Sequence, residues 1–113
     1  MSFKPKLSII VVCYRMQTQI RNTIQSLSAS YQNGVSESDY EVILLENSSD
    51  QEIDVAEIDA LPANFRYLRR EEASHSPAAA INEGFRLARG EFIGVMIDGA
   101  YMMTPGVVKF ALL

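Results

Sequence analysis

Cysteines, basic clusters and long apolar runs are scarce in this chain, and each scarcity removes a class of function. Cys13 is the only cysteine among the 113 residues. It lies inside an apolar run, so neither a disulfide framework nor a cysteine metal site is available, Cys13 reads as core, and a reducing, cytoplasmic compartment is expected. The formal net charge is −4 and no stretch is rich in Lys or Arg, which makes nucleic acid and anionic membrane surfaces poor partners. The apolar segment behind Met1-Ser2-Phe3-Lys4-Pro5-Lys6 is too short to span a bilayer and carries no cleavage-site pattern. Repeats, low-complexity tracts and linkers are absent too, so residues 1–113 are expected to form a single small domain.

Several nucleotide and hydrolase motifs are also missing. No Gly-x-Gly-x-x-Gly follows the first apolar run, no Gly-x-x-x-x-Gly-Lys-Ser/Thr occurs, and there is no Gly-x-Ser-x-Gly elbow. Dinucleotide-dependent oxidoreductases, P-loop NTPases and α/β-hydrolases are disfavoured. What remains is ordinary for a globular chain, with 48% hydrophobic and 21% charged residues, which argues against disorder.

The organising stretch is Glu91-Phe92-Ile93-Gly94-Val95-Met96-Ile97-Asp98, an apolar run ending in one carboxylate. With no polar alternation it predicts a strand covered on both faces, as in parallel α/β sheets. Leu7 to Cys13 predicts a first buried strand, and the spacing of Ile20, Ile24, Leu27 and Tyr31 predicts an amphipathic helix from about Thr18 that stops at Asn33-Gly34. Tyr40 to Leu45 predicts a second strand, completing a βαβ unit. Residues 51–64 allow one short helix or an irregular connection, and Phe65 to Arg70 alternates like a strand with one exposed face. Ser76-Pro77 is a helix start; Ile81, Gly84, Phe85 and Ala88 share a face, and Gly90 ends that helix. Thr104-Pro105 repeats the start signal for a last helix ending on Phe110-Ala111-Leu112-Leu113, which is apolar and uncapped. That ending predicts a truncation, and an exposed apolar surface suited to self-association.

In a parallel sheet the ligand crevice lies outside the carboxyl ends of the strands. Tyr14, Glu46 and Asp98 each follow a strand, and the helix opening at Ser76 offers free amides on the same side, suited to a phosphate. A planar ring, two acids and a helix N-terminus describe a nucleotide pocket. His75 reads as a surface residue with a phosphate contact as the minority view, and Arg69-Arg70-Glu71-Glu72 reads as a solvated loop, with Arg69 or Arg70 reaching a diphosphate as the alternative.

The blocks Leu7-Ser8-Ile9-Ile10-Val11-Val12-Cys13-Tyr14-Arg15, Glu41-Val42-Ile43-Leu44-Leu45-Glu46-Asn47-Ser48-Ser49-Asp50, Ala78-Ala79-Ala80-Ile81-Asn82-Glu83-Gly84-Phe85, Ala88-Arg89-Gly90-Glu91-Phe92-Ile93 and the Asp98-to-Pro105 spacing occur in this order. Together they resemble the family 2 glycosyltransferases of the GT-A fold. The resemblance implies a three-layer α/β/α sandwich with a mainly parallel sheet, of which this chain is the nucleotide-sugar-binding half, the acceptor-binding half being missing. It implies a nucleotide-diphosphate-sugar site at Tyr14, Glu46, Asn47, Asn82 and Asp98, with Tyr14 near the base, Glu46 reading the base edge and Asp98 near ribose and diphosphate. It further implies sugar transfer with inversion to a saccharide or lipid-linked acceptor, assisted by Mg²⁺ or Mn²⁺ at Asp98. The catalytic base is not identified within these residues, and the isolated chain is expected to be inactive.

The chain also departs from the family pattern. Ala100 replaces the second metal-binding acid and Tyr101 follows where another acid is frequent, so weak or absent metal binding is expected, because a methyl group offers a hard cation no oxygen. Arg15 replaces the usual Asn, and Ile81 a frequent Arg. The rival reading is a noncatalytic GT-A-like binding or scaffolding domain.

Overall fold

The structure, a computed structural model, describes residues 4–71, 77–97 and 106–112. Asp98, Ala100, His75 and the helix-start residues Ser76, Thr104 and Pro105 lie outside the described residues. Strands β1 (Leu7–Cys13), β2 (Tyr40–Asn47), β3 (Phe65–Arg70) and β4 (Phe92–Ile97) alternate with helices α1 (Ile20–Leu27), α2 (Val55–Asp59), α3 (Pro77–Leu87) and α4 (Val107–Ala111). All strand pairs are parallel and the sheet order is β3-β2-β1-β4.

Every residue of β1 and β2 is buried, and residues 9–13 and 42–45 read as apolar runs because these are the central strands, covered on two faces. On one face Leu7, Ile9, Val11, Tyr40, Val42 and Leu44 pack with Ile20 and Leu27 of α1 and Val108 of α4. On the other, Ile10, Val12, Ile43 and Leu45 pack against Ala80, with Ile81, Leu87 and Ala88 alongside. The expected three-layer α/β/α arrangement is therefore present.

β4 departs from expectation. Its apolar run predicts burial on both faces, yet Phe92 and Ile97 are each 52% exposed, with Ile93 and Val95 near them. It pairs only with β1 and lies at the edge of the sheet formed by the described residues. The pair β1 and β2, rather than β4, forms the axis of the fold.

Three helix details differ as well. α1 ends at Leu27 rather than near Gly34, because Ser26 and Ser28 hydroxyls donate to the carbonyls of Thr23 and Gln25 at 3.1 and 2.7 Å and compete with the helical ladder. Gly34 still takes a positive φ of 73°, in the turn beyond. On α3 the packed face is Ala80 and Gly84, while Phe85 is 48% exposed. α3 also ends at Leu87, before Gly90. A Cβ on Gly90 would lie 2.6 Å from the Ser8 backbone nitrogen, so that glycine permits close approach to β1 and does not end the helix.

The last helix is partly covered. Val108 is buried, Leu112 packs against the same core, and the Val108 amide donates to Gln32 Oε1 at 3.1 Å.

At the amino edge of the sheet a buried polar cluster locks α3 onto the strands. Ser8 Oγ donates to Glu41 Oε2 at 2.6 Å, Arg66 Nη2 to Glu41 Oε1 at 2.8 Å, and the Arg89 amide to Glu41 Oε2 at 2.7 Å. Arg66 also bonds the Leu87 carbonyl, and the Gly90 amide donates to Ser8 Oγ at 2.8 Å. Glu41 is 1% exposed, so its charge is compatible with burial only because these donors surround it.

Candidate functional site

The register sets the site. Cys13 pairs with Glu46 and Asn47 pairs with Arg70, so Tyr14, Asn47 and Arg70 stand on adjacent chains at the carboxyl edge. Tyr14 is half-buried there. The Asn47 side chain is fixed in one orientation: its Oδ1 accepts from Arg70 Nη1 at 3.1 Å, and guanidinium only donates, so the amide NH₂ faces away. That Nδ2 is buried and lacks a hydrogen-bond partner among the described residues. A stranded donor of this kind costs about 1–3 kcal/mol.

Glu46, expected to face the crevice, is turned into the core. It is 0% exposed; Oε1 accepts from the Tyr67 hydroxyl at 2.5 Å and Oε2 from the Ile53 amide at 2.8 Å. Burial, and then the neighbouring Glu46 carboxylate, push the Tyr67 phenol above its usual range, so it stays protonated and donates. Glu46 thereby holds the loop of residues 48–54 from beneath.

That loop is bound from both sides. Towards β1, the Gln17 amide donates to the Gln51 carbonyl at 3.2 Å and Gln17 Nε2 to Asp54 Oδ1 at 3.0 Å. Towards β3, the Ser48 amide donates to the Arg70 carbonyl at 2.9 Å, and Arg69 grips Glu52 with Nε and Nη2 at 2.7 and 2.9 Å. The Arg69 hydrogen bonds and the Ser49 amide hold Glu52 below the ordinary carboxylate range. Arg69 is fully engaged by Glu52 and Glu71.

Arg15 stands apart. It has a φ of 55°, a left-handed conformation found at no other non-glycine among the described residues, and one that costs about 1 kcal/mol. Its Nε lies 3.3 Å from Asp50 Oδ1, and the two side chains are 47% and 74% exposed. Asn82 is exposed on the second turn of α3, off its packed face. Tyr67, Gln17 and Asp50 escaped the sequence reading, since nothing in their spacing signals a loop tied from three directions.

A parallel four-stranded sheet with helices on both faces, and a polar rim where loops leave the first two strands, is the architecture of the GT-A glycosyltransferases. The chain matches the family model for glycosyl transferase family 2 over residues 8–98, and it belongs to that family. The crystal structure of S. aureus TarS 1-349 superposes with a TM-score of 0.77 at 25% identity, covering 94% of this chain and 31% of that one. TarS 1-349 in complex with UDP-GlcNAc gives 0.78 at 25% identity, and in complex with UDP 0.77 at 25%, each covering 94% of this chain and 30% of TarS. The chain thus spans about a third of these solved relatives. A comparison with curated proteins finds no match. Among the described residues no helix is long and apolar enough to cross a membrane.

Proposed function

We propose that this chain is the donor-binding portion of a glycosyltransferase, binding a nucleotide-diphosphate sugar across the carboxyl ends of β1 and β2. The observation that carries the reading is the register that pairs Cys13 with Glu46, the residues directly before Tyr14 and Asn47. The Tyr14 ring offers a face for the base, and the Asn47 amide, 1% exposed and unpartnered at Nδ2 among the described residues, would donate to a base carbonyl or ring nitrogen on turning outward. Glu46 serves through the loop it supports, Asp98 is assigned to ribose and diphosphate by the family resemblance, and Asn82 contributes from α3. The TarS complexes with UDP-GlcNAc and UDP support a nucleotide ligand for this fold.

In the proposed reaction an acceptor hydroxyl of a saccharide or lipid-linked acceptor loses its proton to a base and attacks the anomeric carbon with inversion. The bond to the diphosphate breaks, and the nucleoside diphosphate departs with the electron pair. No base or acceptor site is assigned among these residues, and in this reading the isolated chain is inactive. A cytoplasmic setting belongs to the same reading, with Cys13 buried in β1. Self-association through α4 belongs to the same reading, and a strictly monomeric sedimentation profile removes it.

Mg²⁺ or Mn²⁺ is the cofactor such a reading implies. The stretch after β4 offers one carboxylate, Asp98, before Gly99, Ala100 and Tyr101, and among the described residues no three His, Cys, Asp or Glu side chains gather as metal ligands. Such a cation is held by one or two carboxylates with waters and substrate phosphates completing its shell, so Asp98 alone, with Ala100 in place of a second acid, makes a weak holder in this reading.

The test is the melting temperature of the chain with UDP-, GDP- and dTDP-sugars, with and without Mn²⁺. A nucleotide held at about 100 times its Kd adds about 2.7 kcal/mol to stability, so one of the three is expected to raise Tm by several degrees. Ala100 favours a second reading, a scaffolding domain without a working donor site; no shift with any nucleotide supports it.

A further inference from the structure

We propose that Arg15 grips the diphosphate of the donor and supplies the positive charge that the Asp98-Gly99-Ala100 stretch is poorly equipped to recruit as a metal. The inference rests on the donor-site reading above and deepens it by naming the group that binds the phosphates.

Three observations converge on Arg15. It directly follows Tyr14 at the carboxyl end of β1, and β4 pairs with β1 up to Val12 and Ile97, so the two strands end at the same rim of the sheet. The residue is held in a left-handed conformation that a side chain rarely adopts, and backbone strain retained at a rim is a pointer to a site. Asn adopts this conformation readily, so a residue lacking the guanidinium would satisfy the backbone at lower cost.

The partner of Arg15 is also suited to exchange. Asp50 is 74% exposed and meets Arg15 at 3.3 Å through a single nitrogen, and exposed pairs of this type hold weakly. A diphosphate presents more charge and several oxygens to the planar fork, so it displaces one exposed carboxylate. Arg69, by contrast, is already gripped by two acids. Asp50 thus parks the guanidinium until the nucleotide arrives.

Calorimetric titration of the folded chain in EDTA, with UDP against UMP and GDP against GMP, tests this. The substitution Arg15→Asn removes the charge while suiting the backbone, and Asp50→Asn frees the guanidinium. The expected result is that the wild-type chain binds one diphosphate at least about tenfold more tightly than its monophosphate without metal. Arg15→Asn abolishes that preference while leaving monophosphate affinity intact, and Asp50→Asn enlarges it. A diphosphate preference that requires Mn²⁺, or that survives Arg15→Asn, overturns the role of Arg15 and leaves the nucleotide site standing. Absence of binding by all four nucleotides to the wild-type chain overturns the donor site and this inference together.

Discussion

Removing the Glu41 carboxylate would strand the Arg66 guanidinium, the Ser8 hydroxyl and the Arg89 amide, all of which converge on it. Breaking a buried charged group out of such a set costs about 3–5 kcal/mol. Glu41→Ala is therefore expected to lower stability by at least about 3 kcal/mol in urea unfolding, whereas Glu41→Gln, which keeps an acceptor, loses less. Neighbouring residues of β2 show how far residue-level reading reaches. Glu41 and Glu46 are equally acidic in the sequence, and position relative to a strand end favours Glu46 as the ligand contact. The fold turns both inward, and it is the amide at Asn47 that is left with an unmet donor. Whether a side chain at a strand end faces crevice or core depends on what the next loop needs, here the Ile53 amide, and that need is set by residues far along the chain.

At the scale of elements, α3 is seated by a missing side chain. A Cβ on Gly84 would meet Ile10 Cδ1 and Cγ2 at 2.7 Å each, so Gly84→Ala forces the helix off β1. Overpacking of this kind costs about 1–3 kcal/mol, more than the gain in helix propensity of about 1 kcal/mol. A net fall in Tm is expected, and the double variant Gly84→Ala with Ile10→Val should recover part of it. The strands were legible because β-branched runs report apolar surroundings directly. Their places in the sheet were not: β1 and β4 carry the same pattern, yet one is central and the other is an edge, since sheet order depends on pairing between residues more than 80 positions apart. Helix ends were the least legible, as α1 shows, where serine hydroxyls close the helix before the Asn33-Gly34 signal.

For the molecule as a whole, stability should fall on the alkaline side. Burial raises the Tyr40 phenol from about 10 to about 12, while its hydroxyl donates to the Leu27 carbonyl at 2.6 Å. Between those values the folded chain keeps a proton that the unfolded chain releases. The contribution is thus complete below pH 10 and is lost as pH rises through about 12, with an amplitude of about 2–3 kcal/mol. Urea unfolding followed from pH 8 to 12 should show this limb, and Tyr40→Phe should make it shallower, leaving the part contributed by the raised Tyr67 phenol. The α/β/α layering and the placing of Tyr14 and Asn47 at one rim of the sheet follow from strand-helix-strand order alone; the left-handed Arg15 and the ties on residues 48–54 do not. The hydrogen bond from the Gly90 amide to Ser8 joins residues 82 positions apart, and β4 can reach its place only beside a β1 already laid down. Such distant pairing slows two-state folding, so the rate-limiting step should be the docking of the chain's last third onto a preformed β1-β2 pair, with a nascent polypeptide exposing the bare flank of β1 until that moment.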